Sequence, residues 1–249
     1  DILCIAGESH EDIALISSAA DLVTNNDFVA RGYLMIRTAH ELGCDTFVHI
    51  SFPRHMSYET MSRRVAVMKA ACEEFGMKFV LETAPDPTSD VGVAGAQAYI
   101  LEKAPEWIEK YGKNSAYFCT NDAHTEPLLK RLLEYGGYFI EADLPSPLMG
   151  YPGALGIDLT AEAGDFAKIL AKVEKAVCDK GGAGRFGTWA YSYGYTLSAG
   201  LAEHAKNVID GKSELRDLDD ISKAFSVYTG DAEWNGSALD RASGPGVAR

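Results

Sequence analysis

The chain has 249 residues, 47% of them apolar and 24% charged, a composition that is globular, excludes extensive disorder and fits one large domain or two lobes. Its net charge of −13 repels phosphate backbones and speaks against nucleic-acid binding by this segment. No apolar run approaches the roughly 18 residues that a membrane-spanning helix needs.

Ile2 to Ala6 reads as a strand, with Gly7, Glu8, Ser9 and His10 at its tip and a helix from about Glu11. No signal peptide opens the chain, and this strand has no lead-in, so the natural protein is expected to begin upstream of Asp1. Asp21 to Thr24 reads as a short strand. Asn26 or Asp27 can cap the next helix, which carries Phe28, Met35, Ile36, Ala39 and Leu42 and stops at Gly43.

Thr46 to Ile50 reads as a buried strand, and His49 within it as a satisfied core residue. The loop after it holds Phe52, Pro53, Arg54 and His55. The following helix bears an apolar stripe, Met61, Val65, Met68, Cys72 and Phe75, at alternating spacings of four and three. At about 100° per residue, Arg64 falls on the flank of that stripe and Arg63 nearly opposite it.

Met77 to Thr83 reads as a strand and residues 84–90 as a turn-rich loop. A helix starts near Val91, and Pro105 is expected to break or kink it. Ser115 to Thr120 reads as a strand with Asn121, Asp122, Ala123 and His124 at its tip. Asp122 or Thr125 can cap the next helix, whose first turn holds Pro127. Tyr138 to Ala142 and Ala154 to Leu159 read as further strands around an irregular stretch, Asp143 to Gly153. A helix over Asp165 to Lys180 presents Phe166, Ile169, Leu170, Val173 and Val177 on one face. Trp189 to Tyr193 leads into a helix through Leu197, Leu201 and Val208. Beyond Gly211 the periodicity fades, and Ser237 to Arg249 reads as a tail.

Strands that alternate with helices at short spacing predict an α/β fold with parallel sheets flanked by helices. In such sheets ligands sit in the loops after the carboxyl ends of strands. The loop after Ile50 places a ring, a guanidinium and an imidazole there. The five cysteines, Cys4, Cys44, Cys72, Cys119 and Cys178, show no metal-type spacing and read as buried thiols acting as small apolar groups. No H-E-x-x-H, G-x-S-x-G or G-x-G-x-x-G pattern occurs, so no catalytic residue, metal or cofactor is expected.

The order of motifs resembles the type I periplasmic binding proteins, whose two-lobed fold also serves the effector domains of lac-repressor-type regulators. The resemblance rests on DFVARGY (Asp27 to Tyr33), TAHELGCD (Thr38 to Asp45), a helix carrying Arg64, YFCTND (Tyr117 to Asp122) with Gly136 after it, and the run from Thr188 to Lys212. HISFPRHMSYE, TAPDPTSDVGVAGAQ and WIEKYGKNSAYF further resemble an uncharacterised bacterial family of exported solute-binding lipoproteins. The resemblance covers residues 2–225. It implies an incomplete first lobe, residues 1–26 and 193–220, a complete second lobe, residues 27–192, and a return segment with an irregular tail, residues 221–249.

It also implies a non-enzymatic protein that holds a small polar ligand, ring-bearing or anionic, between the lobes. The ligand-binding residues it points to are Glu8, Ser9 and His10 at a first-lobe strand tip, then Phe52, Arg54, His55, Arg64, Asn121, Asp122, Asp143, Trp189 and Tyr191. Two roles fit. One is the solute-binding component of an ABC-type importer, a lipoprotein in the periplasm or at the cell surface that meets a membrane permease. The other is the sensing domain of a cytoplasmic regulator.

Overall fold

The computed structural model describes residues 2–8, 13–140, 146–230 and 232–238. In chain order its elements are β1 (Ile5–Gly7), α1 (Ile13–Ile16), β2 (Leu22–Thr24), α2 (Phe28–Glu41), β3 (Thr46–Ser51), α3 (Pro53–Met56), α4 (Glu59–Glu74), β4 (Lys78–Thr83), α5 (Gly92–Tyr111), β5 (Ser115–Cys119), α6 (Thr125–Tyr135), α7 (Tyr151–Leu155), α8 (Phe166–Asp179), α9 (Tyr193–Ile209) and α10 (Leu218–Ser226). They fall into two units. Unit 1 comprises Asp1–Asn26 and Tyr191–Arg249, and unit 2 comprises Asp27–Ala190.

In unit 2, β3 is buried along its whole length and pairs in parallel with β4 on one side and β5 on the other. Thr46 lies opposite Lys78 and Ser115, and Ile50 opposite Glu82 and Cys119. Successive side chains of a strand point to opposite faces, and a parallel sheet needs both faces covered. Phe47, Ala116 and Phe118 accordingly meet Met35, Ile36 and Ala39 of α2 and Met68 and Cys72 of α4. Val48, Ile50, Tyr117 and Cys119 meet Ile100 and Trp107 of α5, Leu128 and Leu132 of α6, and Ile169 and Val173 of α8. Each Val, Leu, Ile, Phe or Met among them contributes about 1.5–3 kcal/mol by leaving water. Asp27 starts α2 as the sequence suggests, accepting from the Ala30 N–H at 2.9 Å, a cap worth about 1 kcal/mol.

Four local expectations are corrected. Pro105 does not break α5, which runs unbroken from Gly92 to Tyr111. Residues 151–155 are the short helix α7 and not part of a strand. Gly150 precedes it at φ 76°, Pro152 sits in its first turn, and Gly156 ends it in the left-handed region at φ 70°, so turn chemistry overrides the apolar run. Tyr138 and Phe139 form only isolated parallel bridges, to Ala116 and Phe186, and residues 141–145 lie outside the described residues. Beyond Gly211 the chain is helical again at α10, whose start is fixed by Asp217 accepting from the Asp220 N–H at 3.0 Å.

In unit 1, β1 and β2 run parallel, with Ile5 opposite Leu22 and Gly7 opposite Thr24. Leu197 and Leu201 of α9 pack against β1 at Gly7, and α10 packs on α9. The thiols also differ from expectation. Cys44, Cys72 and Cys119 are buried, but Cys4 and Cys178 are exposed. The apolar face of α8 closes without Cys178, because Ile169, Val173 and Val177 already fill it.

Candidate functional site

The carboxyl ends of β3, β4 and β5 lie side by side, so three loops converge on one edge of the unit 2 sheet. Ser51 ends β3, and its Oγ lies 2.8 Å from Thr120 Oγ1 just past β5. Thr120 Oγ1 also lies 3.1 Å from Nδ1 of His55. The His55 ring covers the Phe52 ring, with centroids 4.1 Å apart, and Tyr58 stands 5.7 Å beyond it. Phe52, only 1% exposed, also meets the edge of His124 at 5.9 Å. His124 is fixed in turn by Nε2 at 3.1 Å from the Pro85 carbonyl.

Arg54 spans this edge. Its Nε and Nη2 donate to the two oxygens of Asp86 at 2.6 and 2.9 Å, and its Nη1 donates to Tyr58 Oη at 3.1 Å. Asp86 is held from its other side by the N–H and hydroxyl of Thr88, at 2.9 and 2.8 Å. The Arg54 bonds hold the Asp86 carboxyl well below the usual carboxylate range, and the Asp86 bonds hold Arg54 above its own ordinary value. Burial, then the neighbouring Arg54 charge, pushes His55 down, so the ring is neutral near pH 7.

Arg64 points inward from α4. It is 2% exposed, with its guanidinium carbon 4.9 Å above the Phe118 ring and Nη2 3.4 Å from Met61 Sδ. His49 occupies the same face of the sheet, tilted between Phe79 and Phe118. Neither of its ring nitrogens has a hydrogen-bond partner among the described residues, so it is not the satisfied core histidine that its strand position suggests. Burial, then the Arg64 charge, pushes it down to about 3.

The remaining sequence candidates are distributed as follows. Asn121 Oδ1 accepts from the Ala123 N–H at 3.0 Å and caps the 3-10 turn Asp122–His124. Asn121 therefore takes the capping role that the sequence assigns to Asp122 or Thr125, because the extra turn moves the cap upstream of α6. Asp122 is exposed within that turn, and Thr125, buried as the first residue of α6, has its hydroxyl 3.5 Å from Cys119 Sγ. Trp189 lies 5.4 Å from the Arg31 guanidinium carbon, which stands equally close to Phe28. In unit 1, Glu8 takes a positive φ of 53° at the end of β1 and donates its N–H to the Thr24 carbonyl at 2.9 Å. Tyr191 places its hydroxyl beside Gly230. Ser9, His10 and Asp143 lie outside the described residues.

Sequence reasoning missed Tyr58, Asp86, Ser51 and Thr120. Asp86 was hidden inside a run of turn formers, although its position just after a strand marks the same edge as Arg54. A separate open depression of about 350 Å³, lined by Lys113, Tyr135, Tyr138 and Arg185 among others, lies where the chain enters β5, at the opposite edge. Arg185 is committed there to the carbonyls of Leu132, Gly137 and Gly181, which makes it a structural clamp. Among the described residues no cluster of His, Cys, Asp and Glu could hold a metal ion, and no helix is long and apolar enough to cross a membrane.

An uncharacterised protein of Treponema pallidum (strain Nichols) is 41% identical over 177 residues, which are 71% of this chain and 80% of the relative. A second from the same organism is 41% identical over 87 residues, 35% of this chain and 39% of the relative. Among solved structures, one from Clostridium difficile 630, described as a candidate transcriptional regulator, superposes with a TM-score of 0.79 at 20% identity. The match covers 91% of this chain and 64% of that one, so the chain spans less than two thirds of that protein. This likeness shows the fold, an α/β architecture of the type I periplasmic-binding-protein class with parallel sheets flanked by helices. The family described as protein of unknown function (DUF3798) matches residues 1–187, and the chain belongs to that family.

Proposed function

We propose that this protein binds a small polar ligand without turning it over, at the carboxyl edge of the unit 2 sheet, as the sensing domain of a regulator. The observation that carries the reading is the convergence of three loops there, where the rings of His55 and Tyr58, backed by the buried Phe52, lie beside the half-buried Thr120 hydroxyl, which Ser51 holds from below. Open parallel sheets place ligands at this edge, and few aligned polar groups among rings are what small-molecule sites contain. The likeness to the Clostridium difficile candidate regulator supports the sensing role over the importer role. The importer role, with a lipoprotein anchor and a permease partner, draws its support only from the resemblance of sequence texture.

A thermal-shift screen of sugars, nucleosides and carboxylates tests the binding. A compound that raises the melting temperature, and is recovered chemically unchanged, is the expected result; no shift from any class overturns it. Fractionation of the source cells decides the role. Recovery with the cytoplasmic fraction fits a regulator, and recovery with the envelope returns the importer role.

A further inference from the structure

The sequence places two arginines and a histidine near one ligand site in an acidic chain, which suggests an anion receptor. The geometry withdraws each of those charges. Arg54 is chelated by Asp86 through two hydrogen bonds and spends a third donor on Tyr58. His55 leans over Phe52, its ring tilted by 35° with centroids 4.1 Å apart, and its Nδ1 is turned to Thr120. Arg64 is buried over Phe118.

Resting on the site proposed above, we infer that its ligand is an uncharged ring, and that Asp86 is the specificity-determining residue that keeps anions out. An anion arriving at Arg54 must displace a carboxylate that is part of the same chain. That carboxylate is already fixed by Thr88 through two further hydrogen bonds. A tethered competitor acts at an effective concentration of about millimolar or more, which a dilute external anion does not match. Asp86 also sets a negative charge beside any incoming carboxylate or phosphate, and like charges in close apposition act against the wrong partner.

An uncharged ring meets the opposite situation. The row of tilted rings Phe52, His55 and Tyr58 ends in an exposed ring, Tyr58, against which a planar group can lie. Tyr58 Oη accepts from Arg54, which leaves its own hydrogen to donate to a ligand carbonyl or ring nitrogen. Arg54 and Asp86 together thus orient a neutral donor and do not expose a cation.

The test uses matched pairs that differ in charge: nicotinamide against nicotinate, benzamide against benzoate, adenosine against adenosine monophosphate. Binding to the full chain is measured by equilibrium dialysis or calorimetry. The expected result is that wild type prefers the uncharged member by about tenfold or more, and that D86N narrows that preference by about tenfold, a step of about 1.4 kcal/mol. D86S serves as the second variant if D86N does not fold, and the wild-type arm stands without either. Preference of wild type for the anionic member, or an unchanged ratio in the folded variant, overturns this inference and leaves the binding site in place. Failure of every uncharged and every anionic compound to bind wild type overturns the site itself.

Discussion

Arg131 of α6 donates from Nε to the carbonyl of Leu101 in α5 at 2.9 Å. That carbonyl is the one residue 105 would bond four positions on, and Pro105 has no N–H to give. A side chain from the neighbouring helix thus supplies the missing donor, which accounts for α5 running through its proline. Pro105→Ala restores the internal bond and is expected to raise stability by about 1–3 kcal/mol. Arg131→Gln is expected to cost about 1–2 kcal/mol in wild type and less in the Pro105→Ala background. A double-mutant cycle by urea unfolding measures that coupling; additive effects refute the substitution of donors.

Gly32 of α2 and Arg64 of α4 pack without room between them. A Cβ at residue 32 would stand 2.9 Å from Arg64 Cγ and 3.0 Å from its carbonyl oxygen. Alanine at a helix interior is normally better than glycine by about 1 kcal/mol, but here the backbone of α4 must move. Gly32→Ala is expected to destabilise by about 1–3 kcal/mol, read from the shift in denaturation midpoint. A stabilised variant refutes the close approach.

His49 makes stability depend on pH. Its folded value of about 3 lies below the ordinary 6.5, so it takes up a proton on unfolding and stability rises with pH across that window. The contribution is complete above about 6.5 and is lost as pH falls, at about 1.4 kcal/mol per unit for this one group. His49→Leu removes the unpartnered nitrogens and is expected to flatten the acid limb by one proton. Urea midpoints between about pH 4 and 7 check it, and an unchanged slope refutes it.

Thiol reactivity follows burial. Cys4 and Cys178 are expected to react rapidly with an aromatic disulfide reagent in the native protein. Cys44 and Cys72, both pushed up to about 12 by burial, and Cys119 react only on unfolding. Stoichiometry of about two fast thiols, against five in denaturant, is the expected readout.

The parallel core of unit 2 was legible because β3 and β5 are short runs that read as buried strands and α2, α4, α6 and α8 carry apolar stripes with glycine or capping stops. The position of Phe52, Arg54 and His55 at a strand tip was legible as well. What those residues do there was not, because pairing across loops has no local signature. Asp86 neutralises Arg54 from 32 positions away, and Arg131 rescues Pro105 from another helix. The false strand at residues 154–159 shows the limit of short apolar runs, since a helix and a strand of that length look alike until the flanking glycines are read for their φ.

The division of the chain has a consequence for biosynthesis. Unit 2 is one uninterrupted segment, whereas β1 and β2 must wait for α9, which the ribosome delivers only after all of unit 2 has emerged. Vectorial synthesis therefore completes unit 2 before β1 and β2 can meet α9, and the segment that carries these two strands, with Ile2 and Leu15 exposed even in the finished fold, is a stretch a chaperone would meet.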